Sequence, residues 1–197
     1  ANNTLLGKAL APIATTAYGN TIVGDTQCAA LSTGYENVVI GATTPVLNTG
    51  YNNVVIGKGS GAALTTSQYN VLIGYEAGAD NSTILNGIVA IGYHAARHST
   101  GAQITAIGQS AGGANTTGLR WTAIGDSSGS TVTASDWTAV GSGAITGAQG
   151  VSIGSYAGLN TTGAGNISIG YNAGRTSASD AFSAEAISIG LAASYQS

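Results

Sequence analysis

A five-residue signature closing on glycine recurs along the chain, ending at Gly7, Gly24, Gly41, Gly57, Gly74, Gly92, Gly108, Gly125, Gly141, Gly154, Gly170 and Gly190. The twelve copies are spaced 17, 17, 16, 17, 18, 16, 17, 16, 13, 16 and 20 residues apart, about 16.6 on average. A period of this size is that of a solenoid coil, in which each repeat buries its apolar face against its neighbours. The expected fold is all-β: a parallel β-solenoid, forming one repeat domain over residues 1–197.

Before each glycine stands Leu6, Val23, Ile40, Ile56, Ile73, Ile91, Ile107, Ile124, Val140, Ile153, Ile169 or Ile189. Two residues earlier stand Thr4, Thr21, Val38, Val54, Val71, Val89, Thr105, Thr122, Thr138, Val151, Ile167 and Ile187, all β-branched. Side chains alternate across a strand, so these two columns share a face. They are expected to point inward, and Ile124→Asp is accordingly expected to prevent folding. The residue between them drifts from Leu5, Ile22, Val39, Val55 and Leu72 through Ala90, Ala106, Ala123 and Ala139 to Ser152, Ser168 and Ser188. An apolar or tiny column is not a free surface, so this second face is expected to lie against another chain or layer.

Four residues before the glycine, Asn3, Asn20, Asn37, Asn53 and Asn70 form a run, and Asn166 returns later. Amide side chains one coil apart can bond up and down a parallel stack as a ladder. The glycine itself suits a positive φ or a close approach at a corner. Segments such as Glu76-Ala77-Gly78, Ser110-Ala111-Gly112, Tyr156-Ala157-Gly158 and Asn172-Ala173-Gly174 mark a second corner, followed by a Thr/Ser/Gly-rich loop or short second strand. Stacked at strand spacing, the coils make a rod roughly 55 Å long. The coil at Gly154 is short, whereas Ala79 to Gly87 and Arg175 to Glu185 carry extra residues expected to bulge out.

Composition narrows the function classes. The 197 residues include 31 glycines but only 5 Lys+Arg and 8 Asp+Glu, leaving few side chains for catalysis, metals or cofactors. With 43% apolar residues the chain is not a disordered one. Lys8, Lys58, Arg97, Arg120 and Arg175 are too scattered to track nucleic-acid phosphates. No apolar run is long enough to span a bilayer and no signal-peptide pattern opens the chain, so it is expected to be soluble. A first residue other than Met points to processing or to a cut chain, and the single cysteine, Cys28, allows no intrachain disulfide.

The strings GYNNVVIGKGSG (Gly50 to Gly61), YNVLIGYEAG (Tyr69 to Gly78) and NISIGYNAG (Asn166 to Gly174) resemble the repeats of bacteriophage tail-fibre shafts. They are similar, less closely, to the coils of trimeric autotransporter adhesin heads. The resemblance implies a parallel homotrimer of β-solenoid or trimeric β-prism type within an elongated virion appendage or surface filament, associated with other virion proteins and attached to host-surface glycans or proteins. It also implies that a chain ending at Ser197 suits a product from which a C-terminal chaperone has been cleaved.

Candidate ligand positions are aromatic. Trp121 and Trp137 occupy one column in successive coils, and a stacked pair could carry a sugar or seal a corner or an interface. Tyr75 and Tyr93 share a second column beside Glu76 and His94, a grouping suited to a sugar or to plain surface. His94 and His98 have a zinc spacing only if helical, which the repeat argues against. Asp126 and Asp136 could approach each other, but no base stands beside a nucleophile, so an enzyme and a cofactor are not expected. The column Thr105, Thr122 and Thr138 raises ice binding as a rival, which an inward orientation would remove. The low charge and lack of terminal caps argue for an obligate assembly, a demand that a dimer or an end-to-end filament meets as well as a trimer, and the resemblance points to the homotrimer.

Overall fold

The computed structural model describes residues 2–8, 16–25, 32–42, 49–80, 86–115, 117–161, 163–175 and 185–193. Over these residues the protein is an all-β solenoid with twelve strands: β1 (Thr4–Leu6), β2 (Thr21–Asp25), β3 (Val38–Ala42), β4 (Val54–Ile56), β5 (Val71–Ile73), β6 (Ile88–Ile91), β7 (Ile104–Ile107), β8 (Trp121–Ile124), β9 (Thr138–Val140), β10 (Val151–Ile153), β11 (Ile167–Ile169) and β12 (Ile187–Ile189). They form one parallel sheet in chain order. The register follows the repeat, with Val71 opposite Val89, Leu72 opposite Ala90 and Ile73 opposite Ile91, so the sequence columns become physical ladders.

Each strand is short because both its ends are corners. Just before it, Glu36, Asn52, Gln103, Arg120 and Asp136 adopt φ of 55°, 55°, 60°, 52° and 60°. Just after it, the column glycine turns away with φ of 149° at Gly41 and 131° at Gly108. A Cβ on Gly41 would stand 2.6 Å from the Gly57 carbonyl oxygen of the next coil, so glycine is required twice over, by dihedral and by space. The Ala-Gly corners are equally regular: Glu76, Ser110, Tyr156 and Asn172 are left-handed, and Ala77, Ala111, Ala157 and Ala173 are fully buried beside them.

The structure reverses the expected faces. The middle column is the interior: Ile22, Val39, Val55, Ala90, Ala106, Ala123 and Ala139 are fully buried, and Ser152, Ser168 and Ser188 nearly so. The flanking β-branched columns point out of the coil, and none of their members is buried; Ile124 is 37% exposed. A coil this narrow has room for the side chains of only one face, and the opposite wall of buried alanines fills the rest. The residue four before the glycine has the same phase as the middle column and joins it inside.

Those two interior columns trade volume. Where the first is Asn20, Asn37, Asn53 or Asn70, the second is Ile22, Val39, Val55 or Leu72. Where the first is Ile88, Ile104, Trp121 or Trp137, the second is Ala90, Ala106, Ala123 or Ala139. The far wall completes the exchange, since a Cβ on Gly112 would run into the Trp121 ring and one on Gly129 into the Trp137 ring. From β2 to β9 the exchange keeps the filled volume similar, as close packing at fixed strand spacing demands, whereas β10 to β12 pair Gly150, Asn166 and Ala186 with Ser152, Ser168 and Ser188 and fill it less.

The asparagine ladder forms as expected. Asn20, Asn37, Asn53 and Asn70 each donate Nδ2 to Oδ1 of the asparagine one coil earlier, at 2.9, 3.0, 3.0 and 2.9 Å. The same oxygens accept the backbone N–H of the asparagine above, and at the end of the run Ile88 N–H takes over on Asn70. The return path narrows to single-residue parallel bridges linking Tyr18, Tyr35, Tyr51, Gln68 and Asn86. Cys28 and most of the two long insertions, residues 81–85 and 176–184, lie outside the described residues.

Candidate functional site

The two tryptophans lie inside the coil. Trp121 and Trp137 are 1% and 2% exposed, stacked with centroids 4.9 Å apart and planes 3° from parallel. Each indole N–H is used locally, Trp121 donating to Gly118 O at 3.1 Å and Trp137 to Ala134 O at 2.9 Å. With no ring face open to solvent, neither offers a sugar platform. Of the two expected roles, burial in the inward phase of the strand removes the sugar platform and leaves these residues sealing the interior of the coil.

Tyr75 and Tyr93 are brought together on the outside. They follow consecutive column glycines, so their rings stack at 5.4 Å and 11° while remaining 42% and 49% exposed. Tyr93 also stacks on the His94 imidazole at 3.8 Å. A hydrogen bond with the Glu76 carboxylate, reinforced by its charge, raises the Tyr75 phenol pKa above its ordinary value.

Around this pair lies a charged network joining two coils. Glu76 Oε2 is 3.1 Å from both His94 Nε2 and Arg97 Nη2. Asp80 Oδ2 is 2.8 Å from His98 Nδ1 and 3.3 Å from Arg97 Nε, the latter too misaligned for a hydrogen bond. All these groups are partly exposed, so the network orders the surface more than it stabilises the fold. Beside it a surface cavity of 240 Å³ is lined by His94, Arg97, His98, Ser110, Gly113, Ala114 and Ser130.

The other sequence candidates resolve differently. Asp136 makes a bidentate pair with Arg120, at 2.6 and 2.9 Å, whereas Asp126 follows the opposite end of its strand. Among the described residues no group of three or more His, Cys, Asp or Glu is arranged to hold a metal. No described helix is long and apolar enough to cross a membrane. Thr105, Thr122 and Thr138 sit in register on the outer face, half-exposed, and not inside as expected.

Sequence reasoning missed two features. Tyr18, Tyr35 and Tyr51 stack at 5.0 and 4.6 Å, and Tyr51 meets Tyr69 edge-on at 5.5 Å. The signal was present, since each of the first three tyrosines stands two residues before a ladder asparagine. The second is the role of Asp80 and Arg97, whose columns become visible only when the corners are aligned on the glycine. Compared with protein-family models, with curated proteins and with solved structures, the chain matches none.

Proposed function

We propose that the chain is a non-enzymatic structural segment of an elongated fibre, of the phage tail-fibre kind, in a virion or on a cell surface. Three copies pack their outer sheet faces together, and the remaining corners present a surface to a host glycan or protein. The observation that carries this reading is the outer face itself: two unbroken columns of Thr, Val, Ile and Leu, partly or fully exposed and without one charged side chain along twelve strands. An exposed apolar surface of this extent calls for a partner. A second copy fits best, because only a partner with the same coil spacing meets every row in register, and a neutral face carries no like-charge repulsion against itself.

Sedimentation equilibrium tests it: the 19.2 kDa chain should run at about three times that mass, stable to dilution. A monomer would overturn the reading. One observation favours a second reading, ice binding: the outward, in-register Thr105, Thr122 and Thr138 on a parallel sheet. A monomer that also inhibits ice recrystallisation would establish that reading instead.

A further inference from the structure

We propose that the cavity downstream of Arg97 is a subsite for one neutral pyranose unit. The inference rests on the presenting role given above and names the ligand class of one of its surfaces. It starts from a step in the corner columns. The fifth and sixth residues after the column glycine are Arg97 and His98 in one coil, Gly113 and Ala114 in the next, and Ser130 and Thr131 in the one after. Strand spacing is fixed at about 4.8 Å, so a fall from two long side chains to almost none leaves a shelf.

The wall of the shelf is His94, Arg97 and His98, and its floor includes Ser110, Gly113, Ala114 and Ser130. At 240 Å³ it falls below the roughly 300 Å³ at which sites for drug-sized ligands begin, and suits a single ring. The wall is already neutralised from behind, because Glu76 and Asp80 hold Arg97 and the two histidines from the preceding coil. An anion would therefore meet no uncompensated positive charge. What remains is the outer Nη edge of Arg97, its Nε being buried and its Nη1 lying 3.4 Å from His94 Nε2, with two serine hydroxyls that can donate or accept and the flat His94 ring backed by Tyr93. Convergent polar groups beside a flat ring match the hydroxyls and C–H face of a pyranose. On this reading Tyr75 and Tyr93 act as positioning residues: neither lines the cavity, but Tyr93 braces His94.

Saturation-transfer NMR on the full chain, with methyl α-glucopyranoside, methyl α-galactopyranoside, methyl α-mannopyranoside and methyl α-glucuronide as probes, tests the proposal. At least one neutral glycoside should bind in the millimolar range and more tightly than the glucuronide. Ala114→Leu, which fills the shelf from an exposed position and leaves the ion network intact, should weaken that binding by about tenfold or more. Arg97→Ala should do the same, and Tyr171→Ala, at a 53% exposed ring elsewhere, should leave it unchanged. No binding by any neutral glycoside, preference for the glucuronide, or unaltered binding by folded Ala114→Leu would each overturn the proposal. The oligomeric mass is read separately, so failure here is distinguishable from failure of the fibre reading.

Discussion

From β1 to β5 the first interior column is a chain of amides, and from β6 to β9 the same column holds Ile88, Ile104, Trp121 and Trp137. The parallel strand register runs unchanged through both stretches. The two therefore solve one packing problem with different chemistry. In the amide coils, specificity comes from hydrogen bonds: Asn37 Nδ2 gives to Asn20 and to Gly50 O, while its Oδ1 takes two bonds from Asn53. In the tryptophan coils it comes from shape, with each indole closed in by a glycine on the far wall. Over β2 to β9 the backbone repeat does not dictate interior polarity; it constrains how much volume the two columns and the wall fill together.

The largest effect should come from breaking the amide ladder. Asn37→Leu deprives Gly50 O and the Asn53 N–H groups of buried partners, and each lost partner costs about 1–3 kcal/mol, so the loss should be about 4 kcal/mol or more. Urea unfolding measures this, and a loss below about 1 kcal/mol would mean that the ladder is packing alone. Trp121→Ala should cost about 3–5 kcal/mol through its cavity. The volume exchange sharpens this: Trp121→Ala combined with Ala123→Leu copies the balance of the amide coils and should recover part of the loss. An additive double variant would refute the exchange.

Next in size is a change on the opposite face of the same strand. Ile124→Lys puts a charge on a side chain that is 37% exposed in the single chain, so stability should move by about 1 kcal/mol or less. The same substitution should abolish association, leaving a folded monomer in sedimentation. An insoluble, unfolded Ile124→Lys chain would instead return that column to the interior.

The smallest effect concerns the corners just before the two tryptophans. Arg120, by hydrogen bond and charge, holds the Asp136 carboxyl below its ordinary pKa. A carboxyl with a folded pKa below its unfolded value contributes stability above the unfolded value, near pH 4, and loses that contribution as pH falls through the folded value. Melting of Asp136→Asn should therefore lie slightly below that of the parent at pH 7 and coincide with it in strong acid. Because the pair is exposed, the gap should shrink with added salt. A gap that persists in acid would assign it to something other than this pair.

The repeat spacing determined the number of strands, their parallel order and the glycine corners, because periodicity and forbidden dihedrals are local properties of the chain. Asn3 to Asn70 announced their ladder for the same reason: parallel stacking of identical residues puts each amide within hydrogen-bond reach of the next. What the period of two could not supply was its sign. Alternation separates Val89 and Ile91 from Ala90 without saying which set faces in, and bulk suggested the larger pair. The tertiary structure decided otherwise, because the direction in which the corners turn places Ala90 inside, beside Ile88 of the same strand face and within the buried cluster that holds Ala95. The same decision buried Trp121 and Trp137 and left Tyr75 and Tyr93 outside. The shelf beside Arg97 was likewise beyond sequence reasoning, since it exists only where three successive coils are stacked and their side chains differ in length.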